Sequence, residues 1–171
     1  MIAAVLLDFG ETMVERISDR YAPLTELDVR PFPETAPTLR ALQEAGFMLA
    51  VVSNTDTTND EQMSVVLRNF ELRRYFNAVV TSISTGIRKP GSAIFQRALS
   101  QLACDPGESV MVGDDVDADI AGGSALGMAT VHVNRGASGH PTSAATLTVA
   151  SLQELPAELA EMNQRLRAGG G

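Results

Sequence analysis

Four places along the chain carry side chains whose type and spacing exceed what folding requires. Asp8 ends an apolar run at residues 3–7, and Ser53 and Asn54 end another at 47–52. Lys89 stands before Pro90, and Asp114, Asp115, Asp117 and Asp119 crowd together after the apolar residues 110–112. A carboxylate at the end of a buried strand is costly unless a cation meets it. Asp8 therefore reads as the partner of a cation or as the cap of the next helix. Clustered carboxylates repel and hold protons more tightly unless a metal neutralises them. An EF-hand loop does not fit this cluster: counted from Asp115, the sixth position is Ile120 where glycine is needed, and the twelfth is Leu126 where glutamate is needed. Oxygen donors with no His or Cys beside them favour Mg²⁺ over zinc or copper. Ser53 and Asn54 offer a hydroxyl and an amide, which suit a plain turn or, with a cation, a phosphate. Of thirteen basic residues only Lys89 is lysine. That bias is either chance or the mark of a site that needs a compact charge instead of a planar fork.

Other chemistries find little support. Neither a P-loop nor a dinucleotide-binding glycine fingerprint occurs. The two histidines are His132, inside a predicted strand and read as a core or rim residue, and His140, in a loop beside Pro141. A net charge of −8 disfavours nonspecific binding to nucleic acid or an anionic membrane. The single cysteine, Cys104, suits a reducing compartment, and the apolar start is too short for a signal or membrane segment. A cytoplasmic location is the expectation.

The elements that must position these residues follow from periodicity. Strands are predicted at 3–7, 47–52, 78–81, 110–112, 129–133 and 146–149, and helices at 34–45, 60–70, from Ser92 through Leu102, up to about Leu126, and at 151–162. Gly46 and Gly127 are read as helix stops, and Ser92 as a helix cap. Residues 13–33 show no period and are expected to be irregular. The alternation of strand and helix predicts an α/β fold, a three-layer Rossmann-like parallel sheet with helices on both faces. Ligands in such sheets bind beyond the carboxyl ends of the strands, where Asp8, Ser53, Asn54 and Asp114 all fall. One domain is expected over residues 1–165, with 166–171 as a disordered tail.

The four motifs together resemble the haloacid dehalogenase (HAD) superfamily. Leu6-Leu7-Asp8-Phe9-Gly10-Glu11-Thr12 is similar to its first motif, Val52-Ser53-Asn54 to the second, Arg88-Lys89-Pro90 to the third and Gly113-Asp114-Asp115-Val116-Asp117-Ala118-Asp119 to the fourth. The resemblance runs from about residue 3 to residue 155. It implies that Asp8 is a nucleophile that takes a phosphoryl group as an aspartyl phosphate. It implies Mg²⁺ held by the Asp8 and Asp114 carboxylates and the carbonyl of Gly10. Ser53 and Asn54 would hold a phosphate oxygen, and Lys89 would neutralise the phosphoryl group and Asp8. Thr12, Asp115 and Asp119 would support the ligands from behind, Asp119 through metal-bound waters.

Two departures matter. Family phosphatases place an acid–base Asp two residues after the nucleophile, where this chain has Gly10; such catalysis is typically worth roughly 10²–10⁴-fold. Glu11 is adjacent, but neighbouring side chains at a strand end point apart. Secondly, only about twenty residues, 13–32, are available for a cap insertion between the first two motifs, so little or no cap is expected. The resulting open site suits a phosphorylated small molecule, a phosphorylated macromolecule, or closure by a second subunit. The expected activity is a Mg²⁺-dependent phosphohydrolase, weak or narrow for want of the acid. The alternative is an impaired HAD module that binds phosphate or a protein partner. Haloacid dehalogenases, which resemble metal-free members, fit the acidic fourth motif poorly. Phosphonatases need a cap lysine that this chain lacks.

Overall fold

A computed structural model describes residues 1–17, 29–136 and 144–168. Its core is a six-stranded, wholly parallel sheet in the order β5-β4-β1-β6-β7-β8. These strands are β1 Ala4–Leu7, β4 Met48–Ser53, β5 Ala78–Thr81, β6 Ser109–Gly113, β7 Ala129–Val133 and β8 Leu147–Val149. Helices α1 Thr35–Glu44, α2 Asp60–Asn69, α3 Ser82–Thr85, α4 Ser92–Leu102, α5 Gly122–Ala125 and α6 Leu155–Ala168 complete the layers. Among the described residues, no helix is long and apolar enough to cross a membrane.

The continuous apolar run of β1 has a simple cause. Ala4, Val5, Leu6 and Leu7 are all fully buried because both faces of the strand are covered. Val5 and Leu7 pack with Leu39 and Leu42 of α1, Met63 and Leu67 of α2, and Leu155 and Leu159 of α6. Ala4 and Leu6 face the other layer, against Ile94, Phe95, Ala98 and Leu102 of α4. Full burial of one leucine side chain is worth about 1.5–3 kcal/mol, so helices on both faces hold this strand at the centre.

The chain first builds outward from β1 through β4 to β5, then crosses to β6 and builds the other way. Between β1 and β6 the direction reverses, and a crevice opens above their carboxyl ends. The register Leu7↔Val112 and the Asp8 N–H bonded to the Val112 carbonyl at 2.9 Å bring Asp8 beside the end of β6.

Most predicted elements appear, with boundaries shifted by a residue or two. Gly46 and Gly127 do take positive φ, 89° and 80°. Ser92 is not the cap of α4. Gly91 holds that position and Ser92 is the first helical residue, with no side-chain capping bond. The segment after β6 is a wide π-type turn, Val116–Ala121, leading into the single turn of α5. The final helix runs to Ala168, beyond the expected 162. The largest difference lies at residues 13–33. Val14–Arg16 (β2) and Val29–Pro31 (β3) pair antiparallel as a small ribbon, joined across the strands by a Glu15–Arg30 ion pair at 2.7 Å. Three-residue strands leave no readable period; their pairing is set by the fold around them. The disordered tail expected at 166–171 is corrected in its first part, since residues up to Ala168 continue the final helix; the rest of it and His140 lie outside the described residues.

Arg135, just beyond β7, ties this ribbon and the loop after β1 to the sheet. It donates to the carbonyls of Glu11 at 3.2 Å and Thr12 at 2.8 Å, and pairs with Glu34 at 2.6 Å. Its guanidinium also stacks over the Phe32 ring, 3.6 Å from the centroid. Although burial raises the Glu34 pKa, hydrogen bonds and charge from Arg135 hold it below the usual value of 4.5. A depressed carboxylate adds stability above its unfolded pKa and loses it as pH falls through the folded value. Arg135→Met is expected to cost about 2–3 kcal/mol near pH 7, counting two charge-assisted bonds and a half-buried ion pair. Urea titrations of wild type and variant should show that cost shrinking as pH drops below about 4.5.

Candidate active site

Lys89 stands at the middle of the crevice. Its ammonium is 2.7 Å from Asp8 Oδ1, 2.7 Å from the Val52 carbonyl and 2.6 Å from Asp119 Oδ1, with only 2% of the side chain exposed. An ammonium has three protons, and here three acceptors surround it. Burial works against the Lys89 charge, yet Asp8 and Asp119 outweigh it and hold the ammonium above the ordinary lysine range. Asp119 Oδ1 accepts no hydrogen bond of good geometry despite its short approach, so that contact is chiefly an ion pair.

The backbone of Lys89 is pinned as well. Asn54 accepts from the Lys89 N–H at 2.8 Å and donates to the Lys89 carbonyl at 3.0 Å. The side-chain amide expected to meet phosphate is thereby engaged in positioning the lysine. Ser53 is buried at the end of β4, opposite Thr81.

Asp114 faces Asp8 from the end of β6. The Thr12 hydroxyl lies between them, 3.2 Å from Asp114 Oδ1 and 3.4 Å from Asp8 Oδ2, its one proton serving either. Asp8, Asp114 and Asp119 each bring an oxygen within 4.8 Å of the others. Burial, reinforced by the Asp8 charge, pushes the Asp114 carboxyl up to about 6. Burial and Asp8 push Asp119 upward too, with the Lys89 ammonium opposing them. Three oxygen donors with no nitrogen or sulfur in the cluster make a set that suits a hard divalent cation.

Asp119 reaches the lysine because Gly113 lets it pass: a Cβ on Gly113 would run into the Asp119 carboxyl. Asp115 caps the wide turn, accepting from the N–H groups of Asp117 and Ala118 at 2.9 and 2.8 Å. Its own N–H donates to Asp119 Oδ2 at 3.2 Å, which fixes the angle at which Asp119 enters the site. His132, buried at the end region of β7, places Nε2 3.2 Å from the Asp114 carbonyl and steadies that residue.

The loop after β1 holds a feature that the sequence did not reveal. A Cβ added to Gly10 would lie 2.5 Å from Nη2 and 2.6 Å from Nε of Arg16. The guanidinium of β2 thus covers the glycine two residues beyond Asp8. Glu11 adopts the left-handed φ of 58°, a conformation that costs a non-glycine residue about 1–2 kcal/mol. Its carboxylate accepts from the backbone N–H of Arg16 at 3.1 Å. Neither Arg16 nor Arg135 has a local sequence signal, since each acts across a tertiary contact.

The chain matches the sequence profile described as "Hydrolase: haloacid dehalogenase-like hydrolase" over residues 2–127. It belongs to that family. It is 39% identical over 106 residues to a glyceraldehyde 3-phosphate phosphatase of Methanothermobacter thermautotrophicus, covering 62% of this chain and 46% of that protein. It is 41% identical over 99 residues to a ribulose-1,5-bisphosphate 5-phosphatase of Halopiger xanaduensis, covering 58% and 40%. The chain spans less than half the length of these curated relatives. A crystal structure of an uncharacterized protein from Listeria monocytogenes serotype 4b superposes with a TM-score of 0.84 at 27% identity, covering 95% of this chain and 99% of that one.

The raised Asp114 pKa has a measurable consequence in metal-free protein. A carboxyl whose folded pKa exceeds its unfolded value binds more protons when folded, so stability falls as pH rises between the two. Asp114→Asn removes that penalty. In chelator, the variant should match wild type near pH 4 and exceed it above about pH 6. The gain should be about 1–2 kcal/mol after allowance for the partial exposure of the group. Denaturant melts at the two pH values read the difference, and an equal offset at both would remove this electrostatic account.

Proposed function

We propose that this chain is a Mg²⁺-dependent phosphohydrolase of phosphorylated small molecules, with Asp8 as the nucleophile. The observation that carries the reading is the buried Lys89 ammonium, which pairs with Asp8 while Asp114 faces the same carboxylate across Thr12. Mg²⁺ would be held by Asp8 and Asp114, with the Gly10 carbonyl as a further donor. It would supply charge that offsets the repulsion between nucleophile and phosphate.

The protein's own part is positioning. Lys89 fixes one Asp8 oxygen through the ion pair at 2.7 Å. Asn54 fixes Lys89, and the end of β4 offers the Ser53 hydroxyl and nearby N–H groups to a phosphate oxygen. Asp119, set by Asp115 and admitted by Gly113, balances the lysine. Splitting the displacement through an aspartyl phosphate replaces one difficult step with two easier ones. The β2–β3 ribbon takes the place of a cap, so residues 1–165 act as one unit with an open site. A reducing, cytoplasmic setting suits the free thiol of Cys104.

A second reading rests on Gly10, which supplies no acid or base. In it the chain binds phosphate or a protein partner without turnover. Hydrolysis of an aryl phosphate separates the two, since its leaving group scarcely needs a proton. With millimolar Mg²⁺ the wild type should hydrolyse 4-nitrophenyl phosphate, while Asp8→Asn should keep its fold and lose turnover completely. Release at the wild-type rate by the purified variant would eliminate Asp8 as nucleophile, and absence of release by the wild type would favour the binding module. Thermal melts run alongside should show Mg²⁺ raising the wild-type Tm more at pH 7.5 than at pH 5, because protons compete with the cation at Asp114.

A further inference from the structure

Arg16 stands where a catalytic side chain on Gly10 would project. Its Nη2, Nε and Cζ lie 2.5, 2.6 and 2.9 Å from the position of a Gly10 Cβ, two residues past Asp8. Arg16 Nε is buried and has no hydrogen-bond partner. An unmet buried donor costs about 1–3 kcal/mol, more when charged, so Nε is a donor for which the described residues provide no acceptor. Three other cations among the described residues are committed. Lys89 is hydrogen-bonded to Asp8 and the Val52 carbonyl and ion-paired with Asp119, Arg135 is bound to Glu34 and two carbonyls, and Arg88 is bound to Asp56 and the Thr55 carbonyl. The incoming phosphate is an anion, and the Arg16 fork suits oxygens of that kind.

We infer that Arg16 binds the leaving-group oxygen of the substrate in the space left by Gly10, and that it sets the substrate class. This rests on the hydrolase reading above. A guanidinium stays charged in a protein and has no proton to give, so it stabilises a departing anion but cannot make it neutral. The site is therefore matched to phosphates whose leaving group departs as a stable anion: acyl phosphates and phosphoanhydrides. Alkyl phosphate esters, whose alkoxide needs a proton, are poor substrates. In the first step an Asp8 oxygen forms a bond to phosphorus, the bond from phosphorus to the leaving oxygen breaks, and its electron pair departs on that oxygen against Arg16. In the second step water adds to phosphorus, the acyl phosphate bond breaks with its electrons returning to the Asp8 carboxylate, and the water proton passes to solvent. The second step has no dedicated base, so phosphorylated Asp8 accumulates with substrates of low leaving-group pKa.

The same contact bears on restoring the acid. An Asp at position 10 would meet the Arg16 guanidinium and be held as its ionised partner. Gly10→Asp alone therefore gains little, whereas Gly10→Asp with Arg16→Ala leaves the new carboxyl free.

The test compares wild type, R16A, R16K and the G10D/R16A double variant. Substrates are acetyl phosphate, a series of substituted phenyl phosphates and ethyl phosphate, all with Mg²⁺. Wild-type kcat should fall steeply as the leaving group becomes more basic, with a burst of phenolate marking the phosphoenzyme. R16A should lose on the order of 10²-fold on acetyl and nitrophenyl phosphates, the scale for deleting one donor to a developing anion. R16K should recover part of that loss, and the double variant should flatten the dependence and gain most on ethyl phosphate. An R16A protein with an unchanged slope and kcat overturns the inference, as does one that loses all substrates equally while melting lower, since packing would explain that result. If wild type turns over no substrate, the hydrolase reading fails separately. Vanadate affinity then decides the role of Arg16: a drop of about tenfold in R16A supports anion binding there, and an unchanged affinity overturns it.

Discussion

The burial of a lysine ammonium among two carboxylates and a carbonyl is the interaction on which the rest of this structure depends. Breaking a buried ion pair by removing one partner costs about 3–5 kcal/mol, because the other charge is left without compensation. Every element near Lys89 is arranged to avoid that cost. Asp8 comes from β1, Asp119 from the wide turn after β6, and the Val52 carbonyl from β4. The lysine thus ties together the three strand ends at the point where the sheet reverses direction. Its charge is nevertheless too small for its surroundings. One ammonium faces two carboxylates while Asp114 stands close by with its pKa raised, so the cluster still favours a further cation.

The opposite side of the crevice is built by longer-range ties. Arg135 reaches from the end of β7 to the carbonyls of Glu11 and Thr12, and holds the loop after β1 in a conformation that includes a left-handed glutamate. That loop leads into the β2–β3 ribbon, whose Arg16 folds back over Gly10. The missing side chain at position 10 is consequently not an empty place. A guanidinium lies over the place where family phosphatases carry an acid, and such a group holds positive charge but has no proton to give.

Much of this was legible in the sequence. The apolar strands were readable because a strand buried on both faces must be continuously apolar, and Asp8, Ser53, Asn54 and Asp114 fall at their carboxyl ends as the alternation required. The single lysine among thirteen basic residues did mark a special position, now visible as an ammonium with no exposed surface to speak of. Gly46 and Gly127 are legible as helix stops because the left-handed turn there suits a residue without a Cβ. Ser92 resembles a cap in sequence but is not one, because the preference of serine for that position is only statistical and the local chain places Gly91 there.

What the sequence determined by itself was therefore the order of elements and the set of acids and hydroxyls at one edge of the sheet, since periodicity and strand-end position are local properties. Tertiary structure alone decided how those groups face one another. It turned the Asn54 amide toward the lysine backbone, bent Asp119 past Gly113 to the ammonium, and brought Arg16 over Gly10. Such contacts join residues from separate strands and loops and depend on angles that no spacing in the chain encodes. Pairing of the three-residue strands β2 and β3 has the same origin: the loop that leads into the ribbon is held by Arg135, and the Phe32 N–H bonds the Met13 carbonyl at 3.1 Å across its base.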